Sequence, residues 1–299
     1  MTTKIALLII YNHRYDKNIP RINEIYAGRF SHIYHIIPFY DGDLDNVIPV
    51  YDNSYQFQGY ISQAYQHLKN QGFTHYVAIA DDMLINPALN ESNFFDLSGI
   101  KQDVCFAHTF RDVSVINPGW WHTKDAVRFS VYNNGLEIDS ILPSVEQAKD
   151  IFAAQGFQTR LIPEWPYGNL RRPIKEFLLR IRRMLWLRLF RRVYYRYPLV
   201  EGYSDMIVVP AEVMPRFCQY CGAFAAARLF VEVAIPTAMA LCSSRLQEIK
   251  EIKMNQFLIF PKENDKNILS EANFSYDALV RLFPKNMLYI HPIKLSKWK

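Results

Sequence analysis

The apolar run His75-Tyr76-Val77-Ala78-Ile79-Ala80 ends directly on two carboxylates, Asp81-Asp82, and this junction restricts the fold of the chain more than any other stretch. The run lacks a polar face, so it suits a strand covered on both sides, as in parallel sheets packed between helices. Lys4 to Tyr11 (KIALLIIY) repeats the pattern. His32 to Tyr40 (HIYHIIPFY) gives another strand, ended by Asp41-Gly42-Asp43, and Val104 to Thr109 reads as a fourth. Helical spacing separates them over Ile19 to Phe30 and over Tyr60 to Gly72, where Asn70-Gln71-Gly72 is a stop signal. Strands alternating with helices predict an α/β fold with a mostly parallel central sheet flanked by helices. Ligands of such sheets bind at the carboxyl ends of the strands, which is where Asp81 and Asp82 fall.

Beyond residue 118 the pattern loosens. Pro118 to Asn134 is loop-like and holds the adjacent Trp120 and Trp121, which suit core packing or stacking on sugar faces. Val145 to Gly156 and Arg228 to Leu241 have helical spacing, and Ala211 to Phe217 reads as a short helix. Thr159 to Ile162, Met206 to Val209, Phe257 to Phe260 and Met287 to Ile290 read as strands. The chain divides as one domain in three stretches, 1–165, 166–198 and 199–299, the middle one set off by Pro166, Gly168 and Pro173.

Half of the 299 residues are hydrophobic and 21% are charged, which excludes a disordered chain. The longest apolar runs fall well short of the roughly 20 residues that a membrane span needs. The N-terminus reads as a first strand, since Asn12-His13-Arg14 follows the apolar run in place of a small-residue cleavage site. Four cysteines give no disulfide framework, so a reducing cytoplasm is expected. Cys218 and Cys221 have no second pair to complete a metal site and read as buried thiols.

The net charge of +5 conceals an asymmetry. Arg171 to Arg196 holds ten Lys or Arg against one acid, Glu176, a local balance of +9; the rest of the chain has 24 basic and 28 acidic residues, a balance of −4. From Ile174 to Tyr197 a helix would put Ile174, Phe177, Leu178, Ile181, Met184, Leu185 and Leu189 on one face and Lys175, Arg180, Arg182 and Arg183 opposite. Arg188 and Arg192 break the pattern near its end. Basic charge combined with Leu, Phe and Trp suits a helix lying on an anionic membrane surface. A solvated helix packed on its own domain stays open as the alternative. Nucleic acid is not an expected partner, because the aliphatic face is too apolar for a phosphate-tracking arm.

Adjacent carboxylates at the end of a buried strand are costly unless a cation neutralises them. A divalent metal bridging a diphosphate would do so, whereas a turn with solvated acids is the plainer reading. Glu232 lies on an otherwise apolar helix and is a candidate general base, with Asp205 in Glu201-Gly202-Tyr203-Ser204-Asp205 competing for that role.

A strand followed by Ala80-Asp81-Asp82 and a short hydrophobic stretch resembles the metal-binding DxD-type motif of GT-A glycosyltransferases. Lys4 to Phe30 is similar to the nucleotide-binding start of that fold, and Leu229 to Pro236 resembles its acceptor-side helix carrying an acid. Leu288-Tyr289-Ile290-His291-Pro292 looks like the segment that supplies a C-terminal histidine to the metal in many members. The motif here is not a full Asp-x-Asp, which leaves open whether Asp81 meets ribose or metal. The resemblance implies Mn²⁺ or Mg²⁺ held by Asp82 and His291. It also implies a nucleotide-sugar donor, with a UDP-sugar expected, contacted by Tyr11, Asn12, His13, Arg14, Asp41 and Asp81. Glu232 or Asp205 would act on a lipid-linked or envelope glycan, as in lipopolysaccharide or capsule synthesis. The enzyme would then sit on the inner face of the plasma membrane. A sugar nucleotidyltransferase is the alternative enzyme, but its glycine-rich phosphate loop is missing from Tyr11-Asn12-His13-Arg14. A membrane-bound scaffold with a degenerate transferase fold is the non-enzymatic one.

Overall fold

A computed structural model describes residues 3–114, 123, 126–131, 137–161, 195–259 and 268–298, together with positions 174, 177, 178, 181, 182 and 185. Strand β1 (Ile5–Ile10) lies at the heart of a seven-stranded sheet, and all six of its residues are buried. Its side chains alternate between two cores: Ala6, Leu8 and Ile10 enter one, while Ile5, Leu7 and Ile9 enter the other. A strand with two apolar surroundings has no use for polar positions, which is why the run is continuous. β2 (His32–Pro38), β3 (Val47–Val50) and β4 (His75–Ala80) join β1 in parallel.

The rest of the sheet is mixed. β5 (Leu84–Ile85) follows Asp82 outside it; β6 (Cys105–Ala107) is within it, and β7 (Arg111–Asp112) pairs separately with β8 (Val200–Glu201). β9 (Met206–Pro210) inserts antiparallel between β4 and β6, and β10 (Leu246–Glu248) closes the edge, for the order β10-β6-β9-β4-β1-β2-β3. The sheet is therefore mostly parallel with one reversed strand. Because β9 runs against β4, the residue before it, Asp205, reaches the edge where β4 ends, and its carbonyl accepts the Ala80 N–H at 2.9 Å. A three-stranded sheet orders β11 (Gln256–Ile259), β12 (Met287–His291) and β5, with Ile290 opposite Leu84.

Helices cover both faces. α1 (Ile19–Tyr26) follows β1, α2 (Phe57–Leu68) follows β3, and α3 (Phe94–Ser98) and α4 (Val145–Ala154) come from the middle of the chain. α5 (Met214–Ala226) and α6 (Val231–Cys242) follow β9, and α7 (Ile268–Ala272) and α8 (Tyr276–Leu282) precede β12. The helix expected to end at Phe217 continues to Ala226 through Gly222, where an added Cβ would stand 3.1 Å from Ser62 Oγ on α2. Gly222 thus serves close helix packing. Cys218 and Cys221 are buried on the same helix, with thiols pushed up by burial.

Further expectations need correction: the helix expected from Arg228 begins at Val231, because Arg228 is left-handed at φ 57°. No strand forms over 159–161: Leu161 makes one isolated bridge, to Tyr195. The basic helix does not reach Tyr197, because Tyr195 is in that bridge and both rings are buried in the core. Trp120, Trp121 and most of the basic segment lie outside the described residues.

Gly202 follows β8 at a close backbone crossing. A Cβ there would overlap the carbonyl oxygen of Thr109, and the Gly202 N–H donates to Glu232 O at 2.9 Å. Since backbone cannot swing aside, Gly202→Ala should destabilise the protein by about 1–3 kcal/mol, measured by denaturant unfolding. An unchanged midpoint would show that the crossing has room to spare.

Candidate functional site

The carboxyl edge of the parallel strands gathers residues from distant parts of the sequence. Asp81 directly follows β4 and is 4% exposed. Burial, then the neighbouring charge of Asp82, pushes its carboxyl up to about 7. The Asn12 backbone N–H and the Asn18 side chain hydrogen-bond to it and partly offset that shift. Asp82 is more open, at 35% side-chain exposure, and its Oδ1 lies 2.8 Å from His291 Nε2. The Ile293 N–H donates to the Asp82 carbonyl at 2.7 Å, and β5 and β12 pair beside it, so a short sheet closes this contact.

The other ring nitrogen of His291 faces a second acid. Its Nδ1 lies 2.5 Å from the Tyr203 hydroxyl and 3.8 Å from Asp205 Oδ2. Burial alone would lower the His291 pKa, but the hydrogen bond to Asp82 and the charges of Asp205, Asp82 and Asp81 raise it on balance. Burial and then Asp205 hold the Tyr203 phenol well above its ordinary range. Asp205 is itself pushed up by burial, while His291 and the hydrogen bond from Tyr203 pull it back. The arrangement is a chain: Asp82, His291, the Tyr203 hydroxyl and Asp205.

Glu232 enters from the first turn of α6. Burial, then Asp205 and Glu201, pushes its carboxyl up to about 8, and Arg111 pulls in the opposite direction. Glu201 is buried and pairs with Arg111 at 2.7 Å. Asp205 and Glu232, the two competing base candidates, therefore feel each other's charge.

The expected nucleotide contacts divide. Tyr11 is fully buried, its hydroxyl 2.9 Å from His35 Nδ1, so its side chain offers nothing at the edge. Asn12, His13 and Arg14 are exposed. Arg14 bridges Asp16 at 3.0 Å and Asp41 at 2.5 Å and lies over the Tyr40 ring, which joins two separately proposed contacts into one cluster. Sequence reasoning missed Tyr203, Asn18 and the Glu201–Arg111 pair. Tyr203 sits two residues before Asp205, but a tyrosine there is no signal without the fold that brings His291 to it.

The residues can be tested against a divalent ion. Among the described residues, no group of three His, Cys, Asp or Glu side chains is arranged to hold a metal. Two donors about 2.1 Å from one octahedral ion stand about 3 Å apart, and the Asp82–His291 separation of 2.8 Å is compatible with that. An ion there would replace the proton between them and take its other ligands from water and substrate phosphate, as Mg²⁺ usually does.

No protein-family model matches the chain, and neither does any curated protein.

Proposed function

We propose that this protein is a GT-A-like glycosyltransferase that moves a sugar from a nucleotide-sugar, a UDP-sugar first, to a lipid-linked or envelope glycan. The observation that carries the reading is the meeting of strand-end Asp82 with His291 at 2.8 Å, on an edge that also holds Asp205 and Glu232. Asp82 and His291 would hold Mn²⁺ or Mg²⁺, which supplies positive charge against the leaving diphosphate. Arg14 and Asp41 flank the place for the nucleoside. Glu232, close enough to Asp205 to feel its charge, is suited to accept the proton of an acceptor hydroxyl.

Incubating the full chain with UDP-sugars and Mn²⁺, and following UDP release, tests this. Metal-dependent release supports the transferase. Pyrophosphate-dependent nucleotide exchange would favour a nucleotidyltransferase instead. Neither activity, with intact folding, would leave the scaffold.

Membrane attachment has its own support. Among the described residues no helix is long and apolar enough to cross a membrane. In the basic segment, Ile174, Phe177 and Leu185 are helical and 48%, 62% and 48% exposed. Leu178 and Ile181 on the same face are half-buried, and three exposed large apolar side chains beside basic residues suit contact with a lipid surface. Replacing Arg180, Arg182, Arg183 and Arg188 by Gln should weaken binding to anionic liposomes about 10²–10³-fold, at about 1 kcal/mol per charge. Unchanged sedimentation with the vesicles would remove the membrane reading and leave the transferase untouched.

A further inference from the structure

A cavity of about 530 Å³ lies between the loop after β3, residues 126–129 and the turn that joins α5 to α6. Among the described residues lining it, the charged ones are Arg128 and Arg228, the latter also paired with Asp52. Asn53, Tyr55 and Gln56 come from the loop after β3, and Leu229 and Phe230 lead into α6, two residues before Glu232. Phe57, next to Gln56, lines the narrow cleft that Asn12 and Asp205 share. The cavity and that cleft share no lining residue, but their linings are consecutive in sequence at Gln56 and Phe57.

Its surface chemistry is specific. The Tyr55 and Phe230 rings are 6.2 Å apart and tilted by 47°, and Tyr55 is 53% exposed. Flat apolar faces beside the amides of Asn53 and Gln56 match a sugar ring, which is apolar on its C–H face and polar at its hydroxyls. Two guanidiniums match a carboxylate or phosphate on that sugar.

Arg228 supplies the second observation. α5 ends with the Leu229 N–H donating to Phe224 O and the Arg228 N–H to Ala225 O, both at 2.9 Å. Helices that end in this pattern usually place glycine in the left-handed position. Here that position is Arg228, at φ 57°, one of five described non-glycine residues with positive φ, and the turn fixes where its side chain leaves the backbone. Asp52 holds the guanidinium at 2.6 Å while leaving it 64% exposed.

We infer that this cavity binds an anionic saccharide, with the anion on Arg128 and Arg228 and the ring against Tyr55 and Phe230. That it is the acceptor pocket rests on the transferase reading; that it binds such a saccharide does not. The test is a calorimetric titration of the full chain with three probes. They are a glucuronic acid-terminated disaccharide, its uncharged methyl ester, and the same disaccharide with a 6-phosphate in place of the carboxylate. At least one charged probe should bind about tenfold tighter than the ester, as charge-assisted hydrogen bonds require, and which one does so identifies the anion. The double substitution R128Q/R228Q should erase the preference, and R228K should keep part of it, which separates lost charge from lost folding. The inference is overturned if the ester binds as tightly as both charged probes, if no probe binds, or if R128Q/R228Q retains the preference. UDP with Mn²⁺ is titrated in parallel. A chain that binds the charged saccharide but not UDP keeps the cavity and loses the transferase.

Discussion

Asp82→Asn is expected to abolish Mn²⁺-dependent binding of a nucleotide-sugar while the protein stays folded. Folding should survive because the Asp82 side chain is partly open, and the backbone bond from Ile293 does not involve the carboxylate. Binding should fail because an amide brings neither the charge nor the second acceptor oxygen that a hard cation selects. The partner at the site behaves differently. His291→Ala should weaken binding less, since water can occupy the place of an imidazole on Mn²⁺ or Mg²⁺. In the double variant the cost should be less than the sum of the two, because both side chains serve one ion. Calorimetry with and without Mn²⁺ measures each term. Additive losses would mean that His291 does not share the ion, and normal donor binding by Asp82→Asn would reduce the strand-end acids to a solvated turn. The pH dependence has a definite sign: His291 is biased toward imidazolium by its acids, so Mn²⁺ must displace a proton and its affinity should rise with pH through that titration.

How this site arises shows which parts of it a sequence can reveal. Strands with two apolar surroundings, β1 and β4, are legible because both faces impose the same requirement on every residue. β3 is not, since Val47-Ile48-Pro49-Val50 has a proline at its third position. The fold tolerates Pro49 because β3 is at the sheet edge, where one side of the strand needs no donors. α5 was legible at its start only, because Gly222 has its reason in another helix. The site divides similarly. Asp81 and Asp82 are announced by the strand that carries them. Asp205 meets them because β9 runs backward, a property of pairing with β4 and β6 that no local pattern encodes. His291 was reached through family resemblance, and its contact with Asp82 depends on β5 and β12 meeting across most of the chain. Tyr203 joins only as the group that fills the space between His291 and Asp205.

Glu232→Gln should lower turnover about 10²–10⁴-fold, the range for loss of a general base. Glutamine keeps the size of the side chain and can still hydrogen-bond, but it cannot take a proton from an acceptor hydroxyl. The same substitution should change stability in the opposite direction. Burial and the charges of Asp205 and Glu201 raise the Glu232 carboxyl to about 8, from an ordinary value of 4.5. A carboxyl raised on folding contributes its full stability below the unfolded value and loses it as pH climbs through the folded one. The native protein should therefore lose stability between about pH 4.5 and 8. Glu232→Gln cannot ionise and should remove that part of the slope, melting higher than the native chain at pH 8 and at a similar temperature near pH 5. A base must also be deprotonated to act, so turnover should rise with pH over the same window. A bound divalent ion would add positive charge near Asp205 and shift the rising limb to lower pH. Melting curves at several pH values, together with kcat/KM profiles, separate the two roles. If turnover stays near normal while the melting slope changes, Glu232 is a buried acid without a catalytic task, and Asp205 becomes the base. If both measurements stay unchanged, the carboxyl is not held in the strained environment that Asp205, Glu201 and the first turn of α6 create for it.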